Sequence, residues 1–423
     1  MFKLRQGNIL KHTIPLILLF NGLLSFGQTE ITSIQFEGIK KYKANFLKQY
    51  INTKKGDVLD STLLAEDVQN LLNLRGINQC EFHIDSDSNQ NSIIIKAHEN
   101  LTVLPLFNFG TIEDNQWFRV GAVDVNFLGR EIYLGGYYQY NGQNSLILKN
   151  RIPFIKGNKW GALANLTIWR DVEPIFFNYE PVQYNYENLA VEGGVIRHFN
   201  RYQKLDFSVS YFKESYIKDP NETLIEAPDT NNKEQLVFKL VARTTKLNYN
   251  AQYVTGYSNM LNLQSLFSIG DNEPYYIAFN ETRYFTHFKK SNIGFRLKLG
   301  LSTNTTDPFA PFVLDSYVNI RGVGNKIDRG TGVITLNNEW RQTVAETNFG
   351  AIQLVAFADI GAWRKPGGDF SNFTHPDHIR IFSGGGIRFS YKHAYGAVLR
   401  IDYGVDLSDT SNGGFVVGIG QFS

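Results

Sequence analysis

The sequence predicts a transmembrane antiparallel β-barrel of about 16 strands, preceded by one small α+β domain. From about Leu101 onward, short runs alternate polar and apolar residues and are separated by clusters of Gly, Asn, Asp and Pro. Aromatic residues make up 14% of the chain although the mean hydropathy is only -0.25, which is typical of a wall whose two faces meet different solvents. After the first 27 residues no apolar run is long enough for a membrane-spanning helix.

Residues 1–27 are typical of a secretory signal peptide. Lys3, Arg5 and Lys11 form a basic region, an apolar stretch follows, and Ser25 and Gly27 offer small residues for cleavage. The alternative, an uncleaved anchor, is disfavoured because the apolar stretch is short for a span. The formal net charge of the whole chain is +2, and removal of this basic segment leaves it almost neutral. The pattern of charge therefore does not indicate a nucleic-acid partner.

The segment 28–100 mixes strand and helix periods in the order β-α-α-β-β. The stretch ITSIQFEG predicts a strand that ends at Gly38, and KANFLKQYI predicts a helix. A second helix is predicted in DSTLLAEDVQNLLNLRG, with Asp60 or Ser61 as its N-cap and Gly76 as its stop. INQCEFHI and NSIIIKA predict two strands, and Cys80, the single cysteine, is expected to be a small buried side chain there.

A glycine-rich stretch, VNIRGVGNKIDRG, carries Arg321 and precedes two strands that each place one carboxylate on the polar face. In GVITLNNEWR this carboxylate is Glu339, and in AIQLVAFADIGAW it is Asp359. A guanidinium binds carboxylates through paired, charge-assisted hydrogen bonds, so the pattern favours an ion pair inside the barrel. The alternative is that Arg321 is a solvated loop residue.

These segments resemble the Omp85 family, and the N-terminal segment resembles a POTRA domain. The likeness rests on the arginine-glycine motif at 320–323, the strand with Glu339, the F-x-D-x-G pattern at 357–361, the stretches GGGIRFSY and LRIDYG, and FEG, L..LRGI and HEN in the N-terminal segment. It implies a barrel over 101–423 whose sixth loop, 303–330, folds back into the lumen. Arg321 would then meet Glu339, Asp359 or both, and Gly322 beside it would permit close backbone approach. The supporting motif residues are Ile320, Phe357, Gly361, Arg388 and Asp402.

The first and last predicted strands indicate a weak seam. Pro105 lies in the first strand, where it cannot donate to the ladder. The last strand contains Gly418 and Gly420, and its face with Phe415 ends at Ser423, whereas the family usually ends in an aromatic residue. Phe422 falls on the opposite face if the register is unbroken. The sequence is compatible with a seam that opens during function and with a seam that only closes the barrel.

The resemblance implies a location in the outer membrane of a Gram-negative-type bacterium, with the POTRA domain in the periplasm. It further implies insertion, assembly or translocation of polypeptides, with a client or partner added as a strand to the POTRA sheet edge. The implied partners are outer-membrane lipid, client polypeptides and subunits of an assembly machine. A non-catalytic scaffold is the main alternative, and a solute pore is disfavoured because the sixth loop would fill the lumen. No enzyme activity and no cofactor are expected. No metal site is expected either, because the HPDH stretch at 375–378 has no further ligand residues nearby.

Overall fold

The computed structural model describes residues 30–87, 90–112, 115–177, 180–270, 273–315, 319–324 and 328–420. The predicted signal peptide, Phe422 and Ser423 lie outside the described residues.

The N-terminal domain has the predicted order of elements. They are β1 Ile31–Glu37, α1 Ala44–Leu47, α2 Ser61–Leu72, β2 Ile77–Asp87 and β3 Gln90–Glu99. The strands form a sheet in the order β1-β3-β2, in which β1 runs parallel to β3 and β2 runs antiparallel to it. Helix α1 is shorter than the helical period predicts, and no side chain caps its first turn at Lys43.

Helix α2 covers one face of this sheet. Asp60 is its N-cap and accepts hydrogen bonds from the backbone N–H groups of Thr62 and Leu63. Leu64 and Leu71 are completely buried in the domain core. Cys80 is half-buried and packs against this core, where burial and the nearby Glu81 raise the pKa of its thiol to about 12. The helix stops at Leu72, before Gly76.

Most of the described residues after residue 102 form one antiparallel sheet of 16 strands, which confirms the predicted fold class. The strands are β4 Val103–Ile112, β5 Asn115–Phe127, β6 Ile132–Tyr140, β7 Asn144–Lys156, β8 Trp160–Phe177, β9 Glu180–His198, β10 Gln203–Lys218, β11 Thr230–Asn250, β12 Tyr253–Ser268, β13 Tyr275–Phe288, β14 Ser291–Ser302, β17 Gly332–Glu346, β18 Gly350–Arg364, β19 Ile379–Tyr391, β20 Val398–Asp406 and β21 Gly413–Ile419. A small hairpin of β15 Phe312–Leu314 and β16 Asp328–Gly330 lies between β14 and β17. Two short 3-10 helices, Phe370–Thr374 and Pro376–His378, precede β19. Within the described ranges, no helix has the length and apolar character needed to cross a membrane.

Alternation along the strands separates a lumen face from an outer face. In β14 buried and exposed residues alternate almost without interruption. Glu339 and Arg341 of β17 are buried while Trp340 between them is exposed. In β18 Asp359 is buried and Ile360 is exposed. The buried set carries the charges and the exposed set is apolar, as expected for a barrel with lipid outside.

The sheet begins at β4 and ends at β21, and among the described residues no hydrogen-bonded ladder joins these two edge strands. We call this gap the seam. Leu101, just before β4, donates its backbone N–H to the carbonyl of His393 at 2.9 Å, in the connection between β19 and β20. The two ends of the sheet therefore approach each other at the end of the barrel next to the N-terminal domain, which we call the near mouth. β21 has seven residues and β4 has ten, so the first strand is longer than its sequence suggested.

Candidate functional site

The described residues between β14 and β17 are 303–315, 319–324 and 328–331, and we call them the inner loop. They lie against the lumen face of the barrel. The inner loop contains the β15–β16 hairpin and the arginine-glycine motif. Ile320 is fully buried in a small apolar cluster with Leu314, Trp363 and Phe382. Two of these partners, Trp363 and Phe382, belong to strands β18 and β19. The loop is thus held to the C-terminal part of the wall by apolar packing as well as by charge.

Arg321 contacts both carboxylates that the strand pattern placed on the lumen face. Its Nε and Nη2 donate to the two oxygens of Asp359 at 2.8 and 2.9 Å. Nη1 donates to Oε2 of Glu339, and the backbone N–H of Arg321 donates to Asp359 at 3.0 Å. The guanidinium also lies 3.8 Å from the centre of the Phe357 ring. All three charged side chains are completely buried.

Two further arginines extend the ion-pair network of this site. Arg341 donates from Nε to Glu339 at 2.6 Å. Arg388 donates to Glu339 at 2.9 Å and to Asp402 at 2.6 Å. The side chains of Arg341, Arg388 and Asp402 are also completely buried. We call the six residues the latch cluster: Arg321, Arg341, Arg388, Glu339, Asp359 and Asp402. From the sequence, Arg388 and Asp402 were named only as residues that support the family motif. Arg341 was not assigned to the site.

Glycines let the inner loop approach the wall closely. Gly322 has a φ of +92°, and a Cβ added there would lie 2.5 Å from the carbonyl oxygen of Gly404 in β20. A Cβ at Gly361 would lie 2.2 Å from the Ile320 side chain. Neither position has room for a larger residue, so the motif glycines are explained by contact distance and, at Gly322, by backbone conformation as well.

A second anchor of the inner loop was not predicted from the sequence. Arg329 donates from Nη2 to Glu173 of β8 and from Nη1 to the carbonyl of Ala310 at 3.2 Å. Asp307 of the same loop pairs with Lys233 of β11 at 2.5 Å. Glu173 lies 156 residues from Arg329 in sequence, and no spacing rule links positions so far apart. The inner loop therefore contacts the wall at both its C-terminal and its N-terminal strands.

The residues assigned to the seam fall on the edge strands or just beyond them. Pro105 of β4 pairs in register with Ala122 of β5, so it lies on an edge strand as expected. Phe415 of β21 is exposed and its ring is 4.6 Å from that of Tyr403. Gly418 lies within β21, and Gly420 follows it with a φ of +95°.

The N-terminal domain docks on the near mouth through polar contacts. Lys41 pairs with Asp124 of β5 at 2.8 Å. Tyr42 donates its hydroxyl to Glu131 in the connection between β5 and β6. Burial and the adjacent Glu131 raise the pKa of the Tyr42 hydroxyl. Asn73 donates to the side chain of Asn248 of β11 at 3.1 Å. The domain therefore has a defined position relative to the barrel.

Comparisons with known proteins agree with this geometry. Residues 29–99 match the family model described as POTRA, surface antigen variable number repeat. The structure is similar to that of BamA from Haemophilus ducreyi lacking POTRA domains 1-3, with a TM-score of 0.54, 12% identity and coverage of 92% of this chain and 83% of that one. CdiB from Acinetobacter baumannii gives a TM-score of 0.55 at 13% identity, covering 93% of this chain and 74% of that one. CdiB from Escherichia coli gives 0.57 at 12% identity, with the same coverage of 93% and 74%. No curated protein matches the sequence.

The described residues share the fold of the BamA and CdiB structures, in which a 16-stranded antiparallel barrel follows a POTRA domain, here at residues 29–99.

Proposed function

We propose that this protein resides in an outer membrane, with its POTRA domain in the periplasm, and takes part in the insertion, assembly or translocation of polypeptides. The observation that carries the proposal is the seam. Every strand between β4 and β21 pairs on both sides, whereas the facing edges of these two strands have no ladder in the described residues.

Unpaired strand edges are costly in a bilayer because no water satisfies their N–H and C=O groups. Two edges in one wall can pair with each other or with a strand of another chain. β21 is short and contains Gly413, Gly414 and Gly418, so the ladder that it can form is weak. A client strand supplies the same donors and acceptors, and the seam is therefore suited to exchange of partners.

The latch cluster supports this role by holding the wall next to the seam. It connects the inner loop to β17, β18, β19 and β20, which are the four strands that precede β21 in the sheet. An edge can exchange partners without loss of the barrel only if the neighbouring strands stay in place. Breaking a buried ion pair costs about 3–5 kcal/mol, which makes this part of the wall resistant to deformation.

The POTRA domain offers a second strand edge near the seam. β2 is an edge strand of its sheet, and Gln79, Glu81 and His83 along it are exposed. Asn78 at its start lies 3.4 Å from His393, the residue whose carbonyl contacts Leu101 before β4. A polypeptide strand added to β2 would start close to the near-mouth end of the seam.

Locking the seam with a disulfide tests the proposal. Cysteine pairs are placed with one partner at 103–107 of β4 and the other at 413–419 of β21, in a chain whose Cys80 is replaced by serine. The variants are expressed in a strain that lacks the protein, and the outer-membrane and secreted proteins are quantified with and without reductant. We expect oxidised seam pairs to fail to restore the normal protein profile and reductant to restore it.

The matched control is a disulfide inside the wall. Ile401 of β20 and Val417 of β21 already face each other in the ladder, so the pair Ile401→Cys and Val417→Cys leaves the seam free. This control is expected to remain active when oxidised. Full activity of the oxidised seam pairs would contradict the proposal and favour a scaffold that only anchors the POTRA domain.

A further inference from the structure

A cavity of about 470 Å³ lies between the POTRA domain and the near mouth of the barrel, and we call it the mouth chamber. Its lining includes five lysine and arginine side chains but only one carboxylate. These are Arg75, Arg151, Lys159, Arg201, Lys204 and Glu131. Such a surplus of one charge in a partly enclosed space raises the local concentration of ions of the opposite charge.

Lys204 lies in one row with a histidine and an arginine across neighbouring strands. It is directly opposite His198 of β9, which also lines the chamber, and directly opposite Arg243 of β11. Residues opposite each other in an antiparallel pair project from the same face, and like charges in such positions destabilise the sheet. Within this row the repulsion between Lys204 and Arg243 therefore costs free energy in the protein alone.

The nearby carboxylates offset only part of this charge. Asp206 is buried, and it is shared between Arg151 at 2.6 Å and Arg243. Glu131 accepts the hydrogen bond from Tyr42 on the POTRA side. Among the described residues, no carboxylate lies within salt-bridge distance of Lys204.

His198 adds a second sign that the chamber is built for a ligand. Its ring packs against that of Phe154, with 4.7 Å between the ring centres and the two planes tilted by 43°. Its Nε2 is buried and has no hydrogen-bond partner within the described part of the chain. Buried polar atoms are nearly always paired, and a ligand oxygen in the chamber would supply the partner.

We propose that the mouth chamber binds a carboxylate-rich segment of a polypeptide. Lys204 and Arg151 would contact the carboxylates, and Tyr50 and Phe154 would contact apolar side chains beside them. The chamber is lined by the POTRA domain and by the lumen face of the wall, so its ligand arrives from the aqueous side. The inference rests on the proposed function and deepens it, because it names the chemistry of the polypeptide that the protein handles.

Direct binding to the purified full-length protein in detergent tests this inference. The probe is a fluorescent ten-residue peptide that alternates Asp or Glu with Phe or Leu, and its counterpart carries Asn and Gln in place of the acids. Fluorescence anisotropy is measured at several salt concentrations. We expect the acidic peptide to bind at least about tenfold more tightly than the amide counterpart, since one lost charge-assisted hydrogen bond accounts for about that factor. Its affinity should fall as salt rises.

The variant Lys204→Gln should lower the affinity for the acidic peptide by about tenfold. It should leave the thermal midpoint of the free protein unchanged or higher, because it removes a like charge from the row. Lys213→Gln is the matched control, since Lys213 is exposed on the same strand and does not line the chamber. Equal binding of both peptides, or binding unaffected by Lys204→Gln, would overturn the inference. So would saturable binding of inorganic phosphate at Lys204 without binding of the acidic peptide.

The seam-locked protein separates this inference from the proposed function. Peptide binding by the oxidised seam pair together with full cellular activity would reject the proposed function while the chamber assignment stands. Absence of peptide binding together with activity that depends on an open seam would reject only the chamber assignment.

Discussion

The latch cluster and the mouth chamber lie in the same barrel, but their charges are balanced differently. In the latch cluster three arginines meet three carboxylates, and all six side chains are completely buried. A fourth buried arginine, Arg400, lies 3.7 Å from Asp402 at the edge of this cluster. In the mouth chamber five cations face one carboxylate, and several of them are partly or fully exposed. Each charge of the first cluster is thus paired with an opposite charge inside the protein, whereas the second has capacity for an external partner.

Whether a charged cluster inside the barrel is structural or binds a ligand depends on whether its charges are paired. Buried charges need partners, and removal of one partner leaves the other stranded at a high cost. A buried cluster whose charges are all paired therefore indicates a structural connection. An unbalanced cluster that remains accessible indicates a binding surface. Substitutions at the latch cluster and at the other contacts between the inner loop, the wall and the POTRA domain separate these two cases.

The largest effect is expected from Arg321→Glu, which places an additional negative charge between Glu339 and Asp359. We expect a loss of about 3–5 kcal/mol in barrel stability and a strong decrease of folded protein in the membrane. Heat-modifiable migration on gels reports the stability of the barrel, and the amount of folded protein in the membrane reports its assembly. Arg321→Lys keeps the charge but not the bidentate geometry, so its effect should be intermediate. An abundant and fully heat-modifiable Arg321→Glu protein would show that the latch cluster does not hold the barrel.

The second prediction concerns Arg329 and Glu173, the anchor on the opposite side of the lumen. Arg329→Met should loosen the inner loop while the barrel stays folded, at a cost of about 1.5–3 kcal/mol for the charged hydrogen bonds that are lost. The loosening of the inner loop is measured as faster hydrogen exchange of the backbone amides at 309–314. Glu173→Gln should reproduce part of this effect, and the double variant should cost less than the sum of the two. Strict additivity would mean that the two side chains do not interact.

The third prediction separates close contact from backbone strain at Gly322. Gly322→Ala introduces a Cβ 2.5 Å from the Gly404 oxygen at a φ of +92°, and we expect a loss of at least about 1–3 kcal/mol. Gly142→Ala is the matched control, because Gly142 has a φ of +86° but no atom within 4 Å of the added Cβ. Denaturant titration of both variants gives the difference. Equal losses would attribute the whole effect to backbone conformation.

The smallest effect is expected at the contact between the POTRA domain and the near mouth. The Tyr42 hydroxyl donates to Glu131 and accepts from the backbone N–H of Gly76 at 3.1 Å. Tyr42→Phe should weaken docking by about 1 kcal/mol and leave the latch cluster unchanged. Faster hydrogen exchange at Gly76, with unchanged exchange in β17 and β18, is the expected result. A simultaneous change in β17 would indicate that the two regions are coupled.

Much of the latch cluster could be predicted from the sequence because strand alternation is a local property. A period of two residues fixes which side chains share a face, so Glu339 and Asp359 were assigned to the lumen without knowledge of the fold. The arginine-glycine motif then identified Arg321 as their partner. The strand count and the β-α-α-β-β order of the N-terminal domain followed from the same kind of local pattern.

Only the tertiary structure decided which distant side chains meet. Arg388 reaches Glu339 because strands β17, β18 and β19 are staggered side by side, and stagger is not encoded in the alternation of any one strand. Arg329 reaches Glu173 because the inner loop crosses the lumen. The mouth chamber exists because the POTRA domain docks beside β7, β9, β10 and β11. Curvature, stagger and docking depend on the whole chain, whereas the faces of strands depend on neighbouring residues alone.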